Sequence, residues 1–166
     1  MKKTSVPLVI AFTPDYFIPA ATCLYSIITS MQAEGELHVI CLLSEELPER
    51  LKLKIQLIGE GRTCYSFVNL QGKLQHIYID QKYTEAASYR LLLPDLLPEY
   101  KKVIYIDCDI IVRNDLVQLY HSIDLGMNYL AAVFEASMDF QLDHLKTIGC
   151  NPNEYIRDCR KKIKIS

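Results

Sequence analysis

The segment VIYIDCDIIV, residues 103–112, joins a short apolar run to two closely spaced acidic residues. The run at 103–106 predicts a buried β-strand. Asp107 and Asp109 follow it, and in extended backbone the side chains of alternate residues point to the same side. Two like charges placed together are costly unless a cation lies between them, and Mg²⁺ or Mn²⁺ prefers oxygen ligands. We therefore predict a divalent metal site at this strand end. The alternative is a pair of solvated acids that cap nearby amides, because the D-x-D pattern is short.

Apolar runs alternate with helical patterns on both sides of this segment. The other strands are predicted at 6–12, 37–43, 74–79 and 129–134. The helices are predicted at 18–31 (with Ala21, Leu24, Tyr25 and Ile28 on its apolar face), 46–58 (capped by Ser44), 84–93 (ended by Pro94), 116–120 and 138–148. This alternation predicts an α/β fold with a mostly parallel sheet and flanking helices.

The composition excludes several classes of protein. The chain has 166 residues, half of them hydrophobic, and a net charge of -2, so no basic excess points to nucleic acid. Its six cysteines include no C-x-x-C pair, which favours reduced thiols and a cytoplasmic protein. Lys2 and Lys3 before the run at 6–12 imitate a signal peptide, but Pro14 breaks that run early. No apolar run is long enough to cross a membrane, although peripheral contact with its inner face is compatible with the sequence.

Three further segments are AFTPDY at 11–16, SYRLLLPDLLP at 88–98 and KVIYIDCD at 102–109. Together they resemble glycosyltransferase family 8, which includes lipopolysaccharide galactosyl- and glucosyltransferases and glycogenin-like enzymes. The resemblance extends over about residues 6–156. It implies a nucleotide-sugar-binding domain of the GT-A type, a UDP-glucose or UDP-galactose donor, and Mn²⁺ or Mg²⁺. It also implies transfer of the hexose, with retention of anomeric configuration, to a glycan or lipid-linked saccharide acceptor such as lipopolysaccharide.

The same resemblance implies roles for individual residues. Asp107 and Asp109 match the metal ligands, Arg90 matches an arginine near the donor phosphates and sugar, and Tyr16 matches an aromatic that stacks on uracil. Arg90 in a surface ion pair and Tyr16 as a packed loop residue are the alternatives. Thr13 departs from the acidic residue common at its position in that family. The full set expected around the nucleotide sugar is Ala11, Thr13, Asp15, Tyr16, Arg90, Asp107, Cys108 and Asp109.

The resemblance stops near Ile156, and a short basic stretch follows it. We therefore expect a GT-A domain at 1–156 and a divergent tail at 157–166, as in a truncated or frameshifted chain. The third metal ligand of the family, a histidine, would lie beyond this point, and so would the catalytic nucleophile or stabiliser. The four histidines do not match it: we expect His38 and His76 at strand edges, and His121 and His144 in solvent. An inactive fragment that at most binds UDP-sugar is thus the main alternative. A haloacid-dehalogenase-type phosphatase and a dinucleotide oxidoreductase fit less well.

Overall fold

The computed structural model describes residues 5–32, 34–74 and 85–132. The chain divides into two compact units, Met1–Asp124 and Leu125–Ser166. The described part of the second unit, residues 125–132, contains a turn in which Asn128 donates its N–H to the Leu125 carbonyl at 2.8 Å. All the elements described below belong to the first unit.

A four-stranded parallel sheet forms the centre of the first unit. Its strands are β1 (Val6–Phe12), β2 (Leu37–Leu43), β3 (Thr63–Asn69) and β4 (Ile104–Asp107), in the order β3-β2-β1-β4. The predictions of β1 and β2 are confirmed to the residue, and β4 lies one residue later than expected. Apart from His38, β1 and β2 are continuous apolar runs, the pattern typical of parallel strands with both faces covered.

Strand β3 was not predicted. Its sequence TCYSFVN mixes polar and apolar residues without a long apolar run, and each of its residues is at least partly exposed. The strand predicted at 74–79 does not begin at Leu74, which lies in a turn, and the rest of that range lies outside the described residues. The strand predicted at 129–134 is likewise wrong for residues 129–132, and its last two residues are not described. A search for continuous apolar runs therefore misses a partly exposed strand of mixed polarity.

The helices follow the predicted order with different limits. Their bounds are α1 Phe17–Ser30, α2 Glu49–Gln56, α3 Glu85–Ser88, α4 Leu93–Leu96 and α5 Leu116–Ser122, with 3₁₀ turns at Pro14–Tyr16 and Tyr89–Leu92. Helix α2 begins after Pro48, so Ser44 does not cap it. Pro94 does not end a helix, because it lies in the first turn of α4, where its missing N–H costs no hydrogen bond. The helix predicted at 138–148 lies outside the described residues.

Two apolar layers cover the two faces of the sheet. Helices α1, α2 and α5 pack on one face with Leu8, Ile10 and Phe12 of β1, whereas α3 and α4 pack on the other with Val9 and Ala11. The buried face of α1 is rotated from the predicted one, since Tyr25 is 64% exposed. Its fully buried residues are Ala20, Cys23, Leu24 and Ile27. Both sets have the same helical spacing, so the apolar pattern alone did not distinguish them.

The described histidines differ in their surroundings. His38 was expected at a strand edge, but β2 is an inner strand and the imidazole is partly buried. Its ring nitrogens form hydrogen bonds with the hydroxyls of Tyr100 and Ser66. His121 is exposed, as predicted, and His76 and His144 lie outside the described residues. Within the part of the chain that is described, no helix is long and apolar enough to span a membrane.

Candidate functional site

The carboxyl ends of β1 and β4 meet where the strand order reverses. From β1 the chain proceeds outward to β2 and β3, and then crosses back to place β4 on the other side of β1. Ala11 near the end of β1 is paired in register with Asp107 at the end of β4. Open α/β sheets bind ligands in the crevice at such a reversal. The structure therefore brings the segment 11–16 and the segment 107–109 to the edge of the sheet best suited to a ligand.

The loop that follows β1 offers an aromatic side chain and an acid to solvent. Thr13 is partly buried and accepts a hydrogen bond from the Tyr16 backbone N–H through its carbonyl, at 2.9 Å. Asp15 is exposed, and the Tyr16 residue is 47% exposed. Tyr16 is thus not a packed core residue, and part of its ring is available to a planar ligand. Ala11 differs, because its side chain is buried in the layer of α3 and α4.

The two acids end β4 in a way that the alternation argument did not anticipate. Strand β4 stops at Asp107, and Cys108 and Asp109 lie in a turn, so extended geometry does not apply beyond Asp107. Both aspartates are exposed, whereas Cys108 is partly buried and packs against the layer of α1. Burial raises the pKa of the Cys108 thiol, and the neighbouring Asp109 raises it further.

The side chains of this turn offer the ligand atoms that suit a hard divalent cation. Asp107 and Asp109 offer carboxylate oxygens, the ligand type that Mg²⁺ and Mn²⁺ prefer, and both are open to solvent. Among the residues that the structure describes, no group of three or more His, Cys, Asp or Glu side chains could hold a metal. As far as the described residues go, water or a bound phosphate would complete the coordination of a cation held by these two carboxylates.

Arg90 connects the segment after α3 to the end of β4. One terminal nitrogen of its guanidinium donates to Asp107 Oδ1 at 3.1 Å, and its Nε–H donates to the Ala87 carbonyl at 2.8 Å. The guanidinium carbon also lies 4.7 Å from the centre of the Tyr105 ring. Burial raises the pKa of that Tyr105 hydroxyl. The ion pair expected as the alternative role of Arg90 is therefore present, but its partner is the predicted metal ligand.

Helix α1 holds the backbone of the segment 107–112. The Cys23 thiol donates to the Asp107 carbonyl at 3.8 Å. The Ser26 hydroxyl accepts the Val112 N–H at 2.9 Å, and the Ser30 hydroxyl donates to the Val112 carbonyl at 2.9 Å. Burial, reinforced by nearby Cys108, raises the pKa of Cys23 to about 11, so this thiol stays protonated at neutral pH. Uncharged side chains of α1 thus hold the backbone on both sides of the turn that carries the acids.

Sequence reasoning missed these supporting residues, although some left a signal. Tyr105 lies two residues before Asp107 on the same strand, and period-two geometry places both on one face. Cys23, Ser26 and Ser30 recur at helical spacing within an otherwise apolar stretch. The Ala87 carbonyl left no signal, because a backbone acceptor is the same for every residue type.

The four-stranded parallel sheet with helices on both faces is the fold of a glycosyltransferase domain of the GT-A type. The chain belongs to glycosyl transferase family 8, whose sequence profile matches residues 7–162. This membership overturns the phosphatase and oxidoreductase alternatives. It also extends the match six residues past Ile156, where the resemblance was expected to stop.

Three known proteins illustrate the similarity. General stress protein A of Bacillus subtilis (strain 168) is 24% identical over 149 residues, which cover 87% of this chain and 52% of that protein. The apo structure of the WbbM bifunctional glycosyltransferase has a TM-score of 0.70 and 25% identity, covering 81% of this chain and 24% of that one. The galactosyltransferase LgtC, solved with donor and acceptor sugar analogues, has a TM-score of 0.68 and 22% identity, covering 89% and 53%. The chain thus spans about half the length of General stress protein A and of LgtC.

Proposed function

We propose that this chain forms the donor-binding part of a metal-dependent hexosyltransferase. The donor would be UDP-glucose or UDP-galactose, and the acceptor a glycan or lipid-linked saccharide, with retention at the anomeric carbon. The observation that carries the proposal is the pairing of Ala11 with Asp107 at the strand reversal. This pairing supports the proposal, because the loop with Tyr16 and the turn with Asp109 follow the paired ends of neighbouring strands. An aromatic ring, two carboxylates and the guanidinium that contacts Asp107 would suit the base, metal and phosphate parts of a nucleotide sugar.

Each part of the donor has a suitable partner on this surface. Tyr16, which is about half exposed, would suit stacking on uracil, with Thr13 and Asp15 close to it in the loop. Arg90 presents a planar fork of N–H donors, which suits phosphate oxygens. Asp107 and Asp109 would hold Mn²⁺ or Mg²⁺. When bound, this ion would supply Lewis-acid stabilisation of the departing diphosphate.

Donor binding without transfer is the second candidate for a polypeptide limited to residues 1–166. It is favoured by the described acidic turn, which offers two carboxylates and, within the described residues, no third metal-ligating side chain. A cation with more water ligands is held less firmly, and weaker positioning of the reacting groups slows transfer. Binding and transfer therefore need separate measurement.

Titration calorimetry with UDP, in the presence and absence of Mn²⁺, tests the donor site. We expect Asp107→Asn and Asp109→Asn each to weaken Mn²⁺-dependent UDP binding about tenfold or more, since each loses an anionic oxygen ligand. Glu60→Gln is the matched control, because it removes one exposed acid in the turn between α2 and β3. Unchanged Mn²⁺-dependent affinity in both aspartate variants would refute the metal assignment.

A further inference from the structure

Several contacts hold the guanidinium of Arg90 beside the carboxylate of Asp107. An exposed ion pair between two free side chains contributes little, because both must be ordered to form it. The guanidinium here is held at three points: the Asp107 carboxylate, the Ala87 carbonyl and the face of Tyr105. Both charged side chains remain about half exposed, at 46% and 56%, so ligands can still reach them. Preorganisation of this kind places a permanent positive charge beside a predicted metal ligand.

We propose that Arg90 is a counter-cation which makes the binding of the divalent metal and of the nucleotide diphosphate depend on each other. The inference rests on the proposed metal site at Asp107 and Asp109. Without nucleotide, the guanidinium already neutralises Asp107 and occupies one of its oxygens. A divalent cation at the same carboxylate must compete for that oxygen and accept a like charge close by.

A diphosphate removes this conflict. It brings negative charge that offsets both cations, and it gives the Arg90 fork a new partner in place of Asp107. Metal and nucleotide then each bind better when the other is present. Linkage requires the factor to be the same in both directions. The free site thus resists the metal alone, and the metal enters together with the diphosphate.

Removing the positive charge should change the two affinities in opposite directions. In Arg90→Gln, Mn²⁺ alone should bind about fivefold tighter or more, since a coupling of this kind is typically fivefold or larger. UDP should bind more weakly, and the factor by which Mn²⁺ and UDP strengthen each other should shrink. A residue that merely supported the fold would weaken both ligands together.

Tyr105 is a positioning residue in this arrangement. Its ring carries the guanidinium, so Tyr105→Leu should release part of the restraint and reduce the coupling factor. Tyr105→Phe keeps the aromatic face and should restore the wild-type coupling factor. This pair tests the arrangement without removing a charge, and it remains informative if Arg90→Gln does not fold.

The experiment measures free Mn²⁺ by electron paramagnetic resonance, with and without UDP, so no turnover is needed. The proteins are the wild type, Arg90→Gln, the two Tyr105 variants and the control Arg50→Gln, which removes an exposed arginine of α2. Tighter Mn²⁺ binding by Arg90→Gln alone, with weaker UDP binding, supports the inference. Unchanged or weaker Mn²⁺ binding in that variant overturns it, while a wild type that retains no Mn²⁺ even with UDP overturns the metal site and this inference together.

Discussion

Tyr16 stands between the end of β1 and the start of α1 with about half of its surface in solvent. Stacking of a base on an aromatic ring contributes about 1–3 kcal/mol, so we expect Tyr16→Ala to weaken UDP binding by that amount. Tyr16→Phe retains the ring and should bind UDP nearly as well as the wild type. Calorimetry with UDP and with uridine separates base from phosphate contributions. Equal affinities in Tyr16→Ala and the wild type would assign Tyr16 to the loop structure alone.

Residues whose charge is costly to leave unpaired are the ones that sequence reasoning selects. The sequence pointed to Asp107 and Asp109 because two closely spaced carboxylates after an apolar run need a partner. Arg90 was placed near the donor by resemblance, and its exposed ion pair was foreseen, but the identity of its partner was not. Arg90 and Asp107 are seventeen positions apart in the sequence, and the fold brings them together. No local sequence pattern encodes that contact.

The Asp115 carboxylate forms hydrogen bonds with both helix α5 and the loop after α1. Its Oδ1 accepts the N–H groups of Val117 and Gln118 at 2.8 and 3.2 Å, and Oδ2 accepts the Gln32 N–H at 2.7 Å. The residue is only 8% exposed. Asp115→Ala loses a helix cap, worth about 1 kcal/mol, and leaves the Gln32 N–H without this acceptor, which costs about 1–3 kcal/mol.

We therefore expect Asp115→Ala to lower the free energy of unfolding by about 2–4 kcal/mol in urea titrations. Asp115→Asn should fall between the alanine variant and the wild type, because an amide offers a single acceptor oxygen. The neighbouring exposed Asn114→Ala is the control. Equal stability of Asp115→Ala and Asn114→Ala would contradict this account of the cap.

Helices and strands were predictable where one physical cause dominated. Apart from His38, strands β1 and β2 are apolar because both faces are covered, and a run of seven such residues has the length of a strand and not of a typical helix. Helix α2 instead begins directly after Pro48, although the preceding Ser44 is a residue type that often caps helices. The buried face of α1 depended on the sheet below it, since two stripes of this helix are equally apolar.

Binding of the donor should also stabilise the whole protein. A ligand present at 100 times its dissociation constant adds about 2.7 kcal/mol to the free energy of unfolding. For a chain of this size that corresponds to a rise in Tm of roughly 5–10 °C. We expect this rise with UDP and Mn²⁺ together, and a smaller rise with either alone. Differential scanning fluorimetry with EDTA as the control measures it, and an unchanged Tm would contradict donor binding by the polypeptide of residues 1–166.

Helix α1 begins directly after the loop of Tyr16, and its Cys23, Ser26 and Ser30 hold the turn that bears the acids. Each residue of a helix advances the chain by about 1.5 Å and turns it by about 100°. A single residue inserted between Tyr16 and Cys23 would thus swing the serine and cysteine side chains away from the acidic turn. Insertions and deletions in this helix should therefore be far less tolerated than changes in the exposed turn between α2 and β3. The helix acts as a fixed-length spacer between the Tyr16 loop and the acidic turn.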